Sequence, residues 1–259
     1  MLWKSSGGGG VSLGLVLSLH RALAATAALV GLAFALCTFE RWLARRRRHE
    51  LAWSAALLMF SLAAAALGAG VGTGWSGPLF RVYFFFGAMA NVPVLALGTV
   101  YLLAGPRRGD RWAAAVAMAV AFAGGVAAVA PLRHAVPRHQ LIPQGSDVFG
   151  PLPRVLAAVG SAGGAAVVFG GAAWSAWRLR RGRMVTANIL IAGGTAVLSA
   201  SGVLNSVADA MTGFAITLVV GISVLFAGFL VATTPPATPS ATDGEAASPP
   251  IREAPPARS

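Results

Sequence analysis

Seven long apolar stretches, separated by short polar or arginine-rich segments, make up most of this chain. A helix that crosses the hydrocarbon core of a bilayer needs about 20 mainly apolar residues, and each stretch is close to that length. The pattern therefore predicts an all-α fold, a polytopic bundle of about seven transmembrane helices within residues 21–232. The predicted spans are 22–42, 51–71, 79–104, 112–131, 155–177, 186–205 and 213–232.

The two ends of the chain depart from this pattern. Residues 1–20 form an N-terminal extension whose apolar run, followed by Ala22-Leu23-Ala24, resembles a secretory signal. His20 and Arg21 interrupt that run, so the alternative is a long first helix that begins near Val11. Residues 233–259 contain seven prolines and no apolar periodicity, which predicts a disordered tail because too little surface can be buried to order it.

The arginines between the spans predict the orientation, because cytoplasmic connections of membrane proteins are enriched in Arg and Lys. The first, third and fifth connections carry twelve arginines, against four in the second and fourth. We therefore expect the N-terminus outside, the C-terminal tail in the cytoplasm, and a multi-pass protein of the plasma membrane. The twelve are Arg41, Arg45, Arg46, Arg47, Arg48, Arg107, Arg108, Arg111, Arg178, Arg180, Arg181 and Arg183, and the four are Arg81, Arg133, Arg138 and Arg154.

Composition agrees with a membrane protein and argues against a nucleic-acid-binding one. Hydrophobic residues make up 56% of the chain and charged residues only 11%, whereas soluble domains carry about 25% charged residues. The net charge of +12 comes mostly from arginines that act as topology signals. Once the spans are removed, no basic folded surface is left, so we expect no nucleic-acid partner.

Polar residues at membrane depth are the first candidates for function, because they are costly there. No charged residue or histidine lies near the centre of a predicted span, which argues against a proton pump. Pro93 removes a backbone hydrogen bond in the third span, and Asn91 can satisfy the freed carbonyl or bond another helix. Asn91, Pro93 and Asn205 are therefore a candidate intramembrane polar site, with helix packing as the alternative.

The predicted outer face carries the most distinctive loops, residues 74–81 and 131–154. Trp75 and Phe149 are expected to anchor the chain at the membrane interface. Trp75, Arg81, Asp147 and Arg154 are predicted to form a cluster in which Asp147 pairs with at least one arginine. This cluster is interpreted either as a structural clamp or as a ligand site.

Glycines in the fifth span allow close helix contact. Gly160 and Gly164 have the small-xxx-small spacing, and Gly171 falls near the same face seven residues later. In a chain with 32 glycines we expect packing within the bundle rather than dimerisation.

The sequence contains no catalytic, metal or cofactor signature, so we expect a non-enzymatic protein without a cofactor. Retinal needs a Schiff-base lysine in the last span, but the only lysine is Lys4. His134 and His139 share one loop without the spacing of a metal site. The histidines are also badly placed to hold haem between facing helices.

Five stretches give the chain a resemblance to an uncharacterised family of actinobacterial seven-span membrane proteins. They are residues 39–43 (Phe-Glu-Arg-Trp-Leu), 74–81, 91–93 (Asn-Val-Pro), 97–103 (Leu-Gly-Thr-Val-Tyr-Leu-Leu) and 144–154. The resemblance covers most of residues 18–232 and implies the topology. More distantly, the span pattern is similar to the seven-span sensor regions of bacterial histidine kinases, although no kinase domain follows the seventh span here.

These observations predict a membrane-embedded sensing or partner-binding module. The alternative is a small-solute transporter or channel with a cavity near Asn91. The expected partners are the lipid bilayer and, as a further candidate, a cytoplasmic or membrane protein; the oligomeric state is left open. A cavity at membrane depth would favour transport, whereas a filled core beneath a shaped outer pocket would favour sensing.

Overall fold

A computed structural model describes residues 8–136, 143–179, 186, 189–191, 193–198 and 211–233. Asn205 of the intramembrane site, half of the sixth predicted span, the tail beyond Thr233 and four arginines of the topology count (Arg138, Arg180, Arg181 and Arg183) lie outside these residues.

The described chain is built from helices, as predicted. The long ones are α1 (Gly8–Arg45), α2 (Arg48–Thr73), α3 (Gly77–Ala104), α4 (Pro106–Val129), α5 (Pro151–Leu179) and α6 (Met211–Thr233). Among the described residues, five segments are long and apolar enough to cross a membrane, namely Leu17–Arg45, Arg48–Thr73, Gly77–Ala104, Pro106–Val129 and Pro151–Ser175. The coarse prediction of an all-helical, polytopic membrane protein is therefore confirmed, while the count of seven spans stays a prediction.

The first helix differs from its predicted span. It begins at Gly8 and is 38 residues long, so the alternative of a long first helix describes it better than a span over 22–42. At 1.5 Å per residue it measures about 57 Å, which exceeds the thickness of a bilayer's hydrocarbon core.

Sharp turns join the first four helices so that neighbours run antiparallel. Gly74 ends α2 with φ 90° and Gly105 ends α3 with φ 79°, both values that L side chains rarely adopt. Pro106 then starts α4, where its missing N–H costs nothing. Residues 45–48 and 104–111 consequently lie at one end of the bundle, called here the arginine-rich end.

Two groups of helices form the core. In the first, α1 packs between α2 and α6 through Phe34, Leu57, Phe60 and Ile222. Ser54 Oγ donates across this contact to the Ala35 carbonyl at 2.9 Å. Interhelical bonds of this kind, together with van der Waals packing, hold membrane bundles together because lipid offers no hydrophobic driving force.

In the second group, α3 packs against α5 along the predicted glycine face. A Cβ added at Gly164 would lie 2.8 Å from Val92 Cγ1 and 2.9 Å from the Val92 carbonyl oxygen, and one at Gly160 would lie 3.3 Å from Pro93 Cγ. Gly171 faces Thr99 in the same way. The prediction that these glycines pack within the bundle is confirmed.

The described part of the sixth predicted span is helical at 186, 189–191 and 193–198. A Cβ at Gly194 would lie 2.6 Å from the Leu225 nitrogen, and one at Gly221 would lie 2.7 Å from Leu198 Cγ. The described part of the sixth predicted span therefore packs closely against α6, with Gly194 on its own side of the contact and Gly221 on the side of α6.

Candidate functional site

A cap of folded loops covers the end of the bundle opposite the arginine-rich end. It consists of residues 74–77, between α2 and α3, together with 130–136 and 143–150, which lie between α4 and α5. Ser76 shapes the first of these loops, because its hydroxyl accepts a hydrogen bond from the Leu79 amide at 3.4 Å and so caps α3.

Aromatic side chains form the interior of the cap. Trp75, Phe80 and Phe149 are almost fully buried, with exposed fractions of 2%, 0% and 0%. The ring centroids of Phe80 and Phe149 are 5.5 Å apart, and those of Trp75 and Tyr83 are 5.4 Å apart with the rings edge to face. Tilted and edge-to-face pairs of this kind contribute about 0.5–1.5 kcal/mol each beyond burial of their area.

The burial of Trp75 and Phe149 corrects the prediction that they are interface anchors. The Trp75 ring lies over Gly70 of α2, where a Cβ would come within 2.5 Å of it. Phe149 is held by its bridge to Leu132, and the adjacent Arg133 amide donates to the Val148 carbonyl at 2.9 Å. Both rings thus pack inside the protein because the loops fold over them.

Arg81 closes the cap onto α4 and does not pair with Asp147 as predicted. Its guanidinium donates to the Ala127 carbonyl and, at 2.7 Å, to the Ala130 carbonyl. These carbonyls are at the C-terminus of α4, where unsatisfied acceptors and the helix dipole favour a cation. The same guanidinium lies 5.7 Å from the centre of the Phe149 ring.

Asp147 and Arg154 also depart from the predicted clamp. Both are exposed. The Asp147 carboxylate accepts a hydrogen bond from Ser146 Oγ at 3.1 Å, and within the described residues the ion pairs are Arg41–Glu50 and Arg48–Asp110. The predicted cluster is therefore only partly assembled, because Trp75, Phe149 and Arg81 share the cap while Asp147 faces outward.

An open cleft of about 740 Å³ lies on the surface of the cap. Most of its wall is apolar, and its two side-chain hydroxyls are engaged locally: Ser76 caps α3, and Thr73 Oγ1 donates to the Ala69 carbonyl at 2.9 Å. The arrangement favours an apolar or amphipathic occupant. The lining residues are Thr73, Gly74, Trp75, Ser76, Gly77, Leu79, Leu132, Ala135 and Val136.

The described part of the predicted intramembrane site lies at a change of helix geometry. Residues Phe85–Ala90 of α3 are π-helical and lead directly into Asn91. Asn91 is half-buried. The Ala88 carbonyl of the π-helical segment accepts from Ser161 Oγ of α5 at 2.9 Å, so a serine from another helix bonds the backbone of this stretch.

The arginine-rich end holds two charged groups that the sequence analysis did not name as candidate sites. Glu50, in the first turn of α2, is 1% exposed, and its Oε1 is 3.4 Å from Arg41 Nη2. The Arg41 guanidinium lies 5.2 Å from the centre of the Phe229 ring of α6. The sequence does not show how deeply Glu50 is buried, because it does not specify how each helix is rotated.

The second charged group joins three helices. Arg48 of α2 pairs with Asp110 of α4, and Tyr101 of α3 donates its hydroxyl to the same carboxylate oxygen at 2.9 Å. The sequence contained a usable signal, since Asp110 is an acidic residue inside an arginine-rich connection that must lie level with Arg48. Within the described residues no group of three or more His, Cys, Asp or Glu side chains is arranged to hold a metal ion.

Comparison with known proteins adds no relative. No protein-family model, curated protein or solved structure matches this chain.

Proposed function

We propose that the chain is a seven-span protein of the plasma membrane with its N-terminus outside and its C-terminus in the cytoplasm. The arginine count supports this orientation, and so does the fact that the first and third connections lie at one end of the bundle. A reporter enzyme that is active only outside the cell, fused after Thr233, is expected to be silent. Activity of that fusion would contradict the orientation or the number of spans.

Within that topology we propose a non-enzymatic sensing or partner-binding module whose binding site is the cleft in the cap. The single observation that carries this proposal is the open cleft above a core filled by Trp75, Phe80 and Phe149. A site of this shape can accept an apolar or amphipathic molecule, or a side chain of a partner, without opening the bundle.

A physical connection from the cleft to the other end supports sensing. Trp75 lines the cleft and packs on Gly70 near the end of α2. Glu50 lies in the first turn of the same helix and contacts Arg41, and Arg41 in turn contacts Phe229 of α6. Displacement of Trp75 by an occupant would therefore act on a helix whose far end holds a buried charge pair.

A cleft-filling variant tests this coupling without knowledge of the natural ligand. Ala135→Trp is expected to alter amide hydrogen exchange of residues 45–48 by about fivefold or more, the size of a typical coupling free energy. Ser146→Trp, on the cap but outside the cleft, is the matched control and should leave residues 45–48 unchanged. Exchange is read by mass spectrometry on the full chain in detergent.

A second candidate, small-solute transport past Asn91, is favoured by the π-helical segment before it, since such segments occur frequently at functional sites. Unchanged exchange at residues 45–48 in Ala135→Trp, together with solute flux that is lost in Asn91→Leu, would overturn the sensing proposal in favour of this one.

A further inference from the structure

An apolar groove runs along the side of the bundle between α2, α3 and α4. Met59 of α2 and Phe85 and Leu97 of α3 form one wall, and Ala117 and Ala121 of α4 form the other. Its volume is about 400 Å³, and every side chain that lines it is apolar. At membrane depth such a groove faces hydrocarbon, so its occupant must itself be apolar.

The length of the groove matches one leaflet. Its lining on α4 extends from Ala113 to Gly124, and the eleven helical steps between these two residues measure about 16 Å. The hydrocarbon core of a whole bilayer is about 30 Å thick. The groove thus begins near the arginine-rich end and covers the depth of a single acyl-chain layer.

Positive charge surrounds the head of the groove. Asp110 precedes Ala113 by one turn of α4 and holds Arg48, whose side chain remains 56% exposed. The other charges on this turn and the one before it are Arg107, Arg108 and Arg111, all exposed. Four arginines against one aspartate leave a net charge of three positive units. Arginine presents five N–H donors in a geometry that suits phosphate oxygens.

We propose that this groove binds an anionic phospholipid of the leaflet at the arginine-rich end. One acyl chain occupies the groove, and the phosphate is bound by Arg48 and the neighbouring arginines of α4. The proposal goes beyond the sensing function and is independent of it, since it uses neither the cap nor its cleft.

A lipid fits the groove better than a second copy of the chain does. A symmetric dimer sets the same patch of each copy against itself, so the arginines of both copies would meet at the same level. Like charges brought together in that way oppose association, whereas a phosphate neutralises them.

Native mass spectrometry of the detergent-solubilised full chain tests the proposal, with phosphatidylglycerol and phosphatidylcholine as probes. The wild type is expected to retain phosphatidylglycerol preferentially. Ala117→Leu with Ala121→Leu fills the groove and should lower that retention about tenfold, the loss expected from about 1.4 kcal/mol. Ala115→Leu with Ala119→Leu, at the same spacing on exposed positions of α4, is the control and should retain lipid normally.

Charge variants test the headgroup with effects of opposite sign. Arg48→Gln should weaken retention of phosphatidylglycerol about fivefold without affecting phosphatidylcholine. Asp110→Asn should strengthen it, a gain that damage to the fold could not produce. If the two double variants retain phosphatidylglycerol equally, the groove is not the binding site. If the chain is a dimer that dissociates when the groove is filled, the occupant is a second copy and not a lipid. If neither charge variant changes retention, the arginines do not bind the headgroup.

Discussion

Gly164→Ala is expected to destabilise the bundle by about 2–3 kcal/mol, because the added methyl group overpacks a backbone contact. The new Cβ would lie 2.9 Å from the Val92 carbonyl oxygen and 3.0 Å from its carbon. Backbone atoms cannot rotate away as a flexible side chain can, so α3 and α5 must separate. Thermal or denaturant unfolding of the detergent-solubilised chain measures the loss.

Gly163→Ala is the matched control for this change. A Cβ at Gly163 meets nothing within 4 Å, and the position is exposed. Alanine raises helix propensity by up to about 1 kcal/mol at either position, so the difference between the two variants isolates the contact with Val92. Equal stabilities would show that α5 does not pack on α3 through this face. A change of oligomeric state without loss of stability would support the dimer interpretation of the motif instead.

The helices were the most predictable part of the molecule, because the bilayer itself constrains them. Predicted spans at 51–71 and 79–104 correspond to Arg48–Thr73 and Gly77–Ala104, since an apolar run and its turn residues are visible in one dimension. The glycine face of α5 was predictable for a related reason. Residues at spacings of four and seven share one face of a helix whatever the rest of the fold does.

The arrangement of the cap was less predictable, because backbone groups decide it. Arg81 was expected to seek the carboxylate of Asp147 but bonds the carbonyls that end α4. Every residue has a carbonyl, so the sequence does not mark which carbonyls will be left without donors near a cation. Trp75 and Phe149 were misassigned because an aromatic residue beside a predicted span can anchor at the interface or pack beneath a loop.

The charge pairs depended on helix rotation and register, which the apolar pattern fixes only weakly. Glu50 belongs to the first turn of α2, where the helix dipole favours a carboxylate, and this much could be predicted. That Glu50 turns inward toward Arg41 and α6 could not be predicted, because the part of α2 that follows Glu50 is apolar on every side and does not show which side faces the other helices. The pairing of Asp110 with Arg48 could have been predicted, because the first and third connections lie at the same end of the bundle.

The buried pair at the arginine-rich end leads to the second large expected effect. Glu50→Gln should lower the free energy of unfolding by about 3 kcal/mol, because it leaves the charge of Arg41 largely buried without its partner. The Arg41 side chain is 25% exposed, so partial solvation places the effect at the lower end of the range for broken buried pairs. Unfolding of the detergent-solubilised chain again measures the change.

Two further variants separate the pair from a general loss of negative charge. Glu40→Gln removes an exposed carboxylate at the same end of α1 and should change stability by less than about 0.5 kcal/mol. Replacing both Arg41 and Glu50 with Met should restore most of the loss, because Arg41 Nε and Glu50 Oε2 have no hydrogen-bond partner among the described residues and removing both charges removes their desolvation cost. If Glu50→Gln is as mild as Glu40→Gln, or if the double replacement is as costly as the two single changes added together, the pair does not hold α1, α2 and α6 together. The link from the cap to the arginine-rich end would then have to run through other contacts.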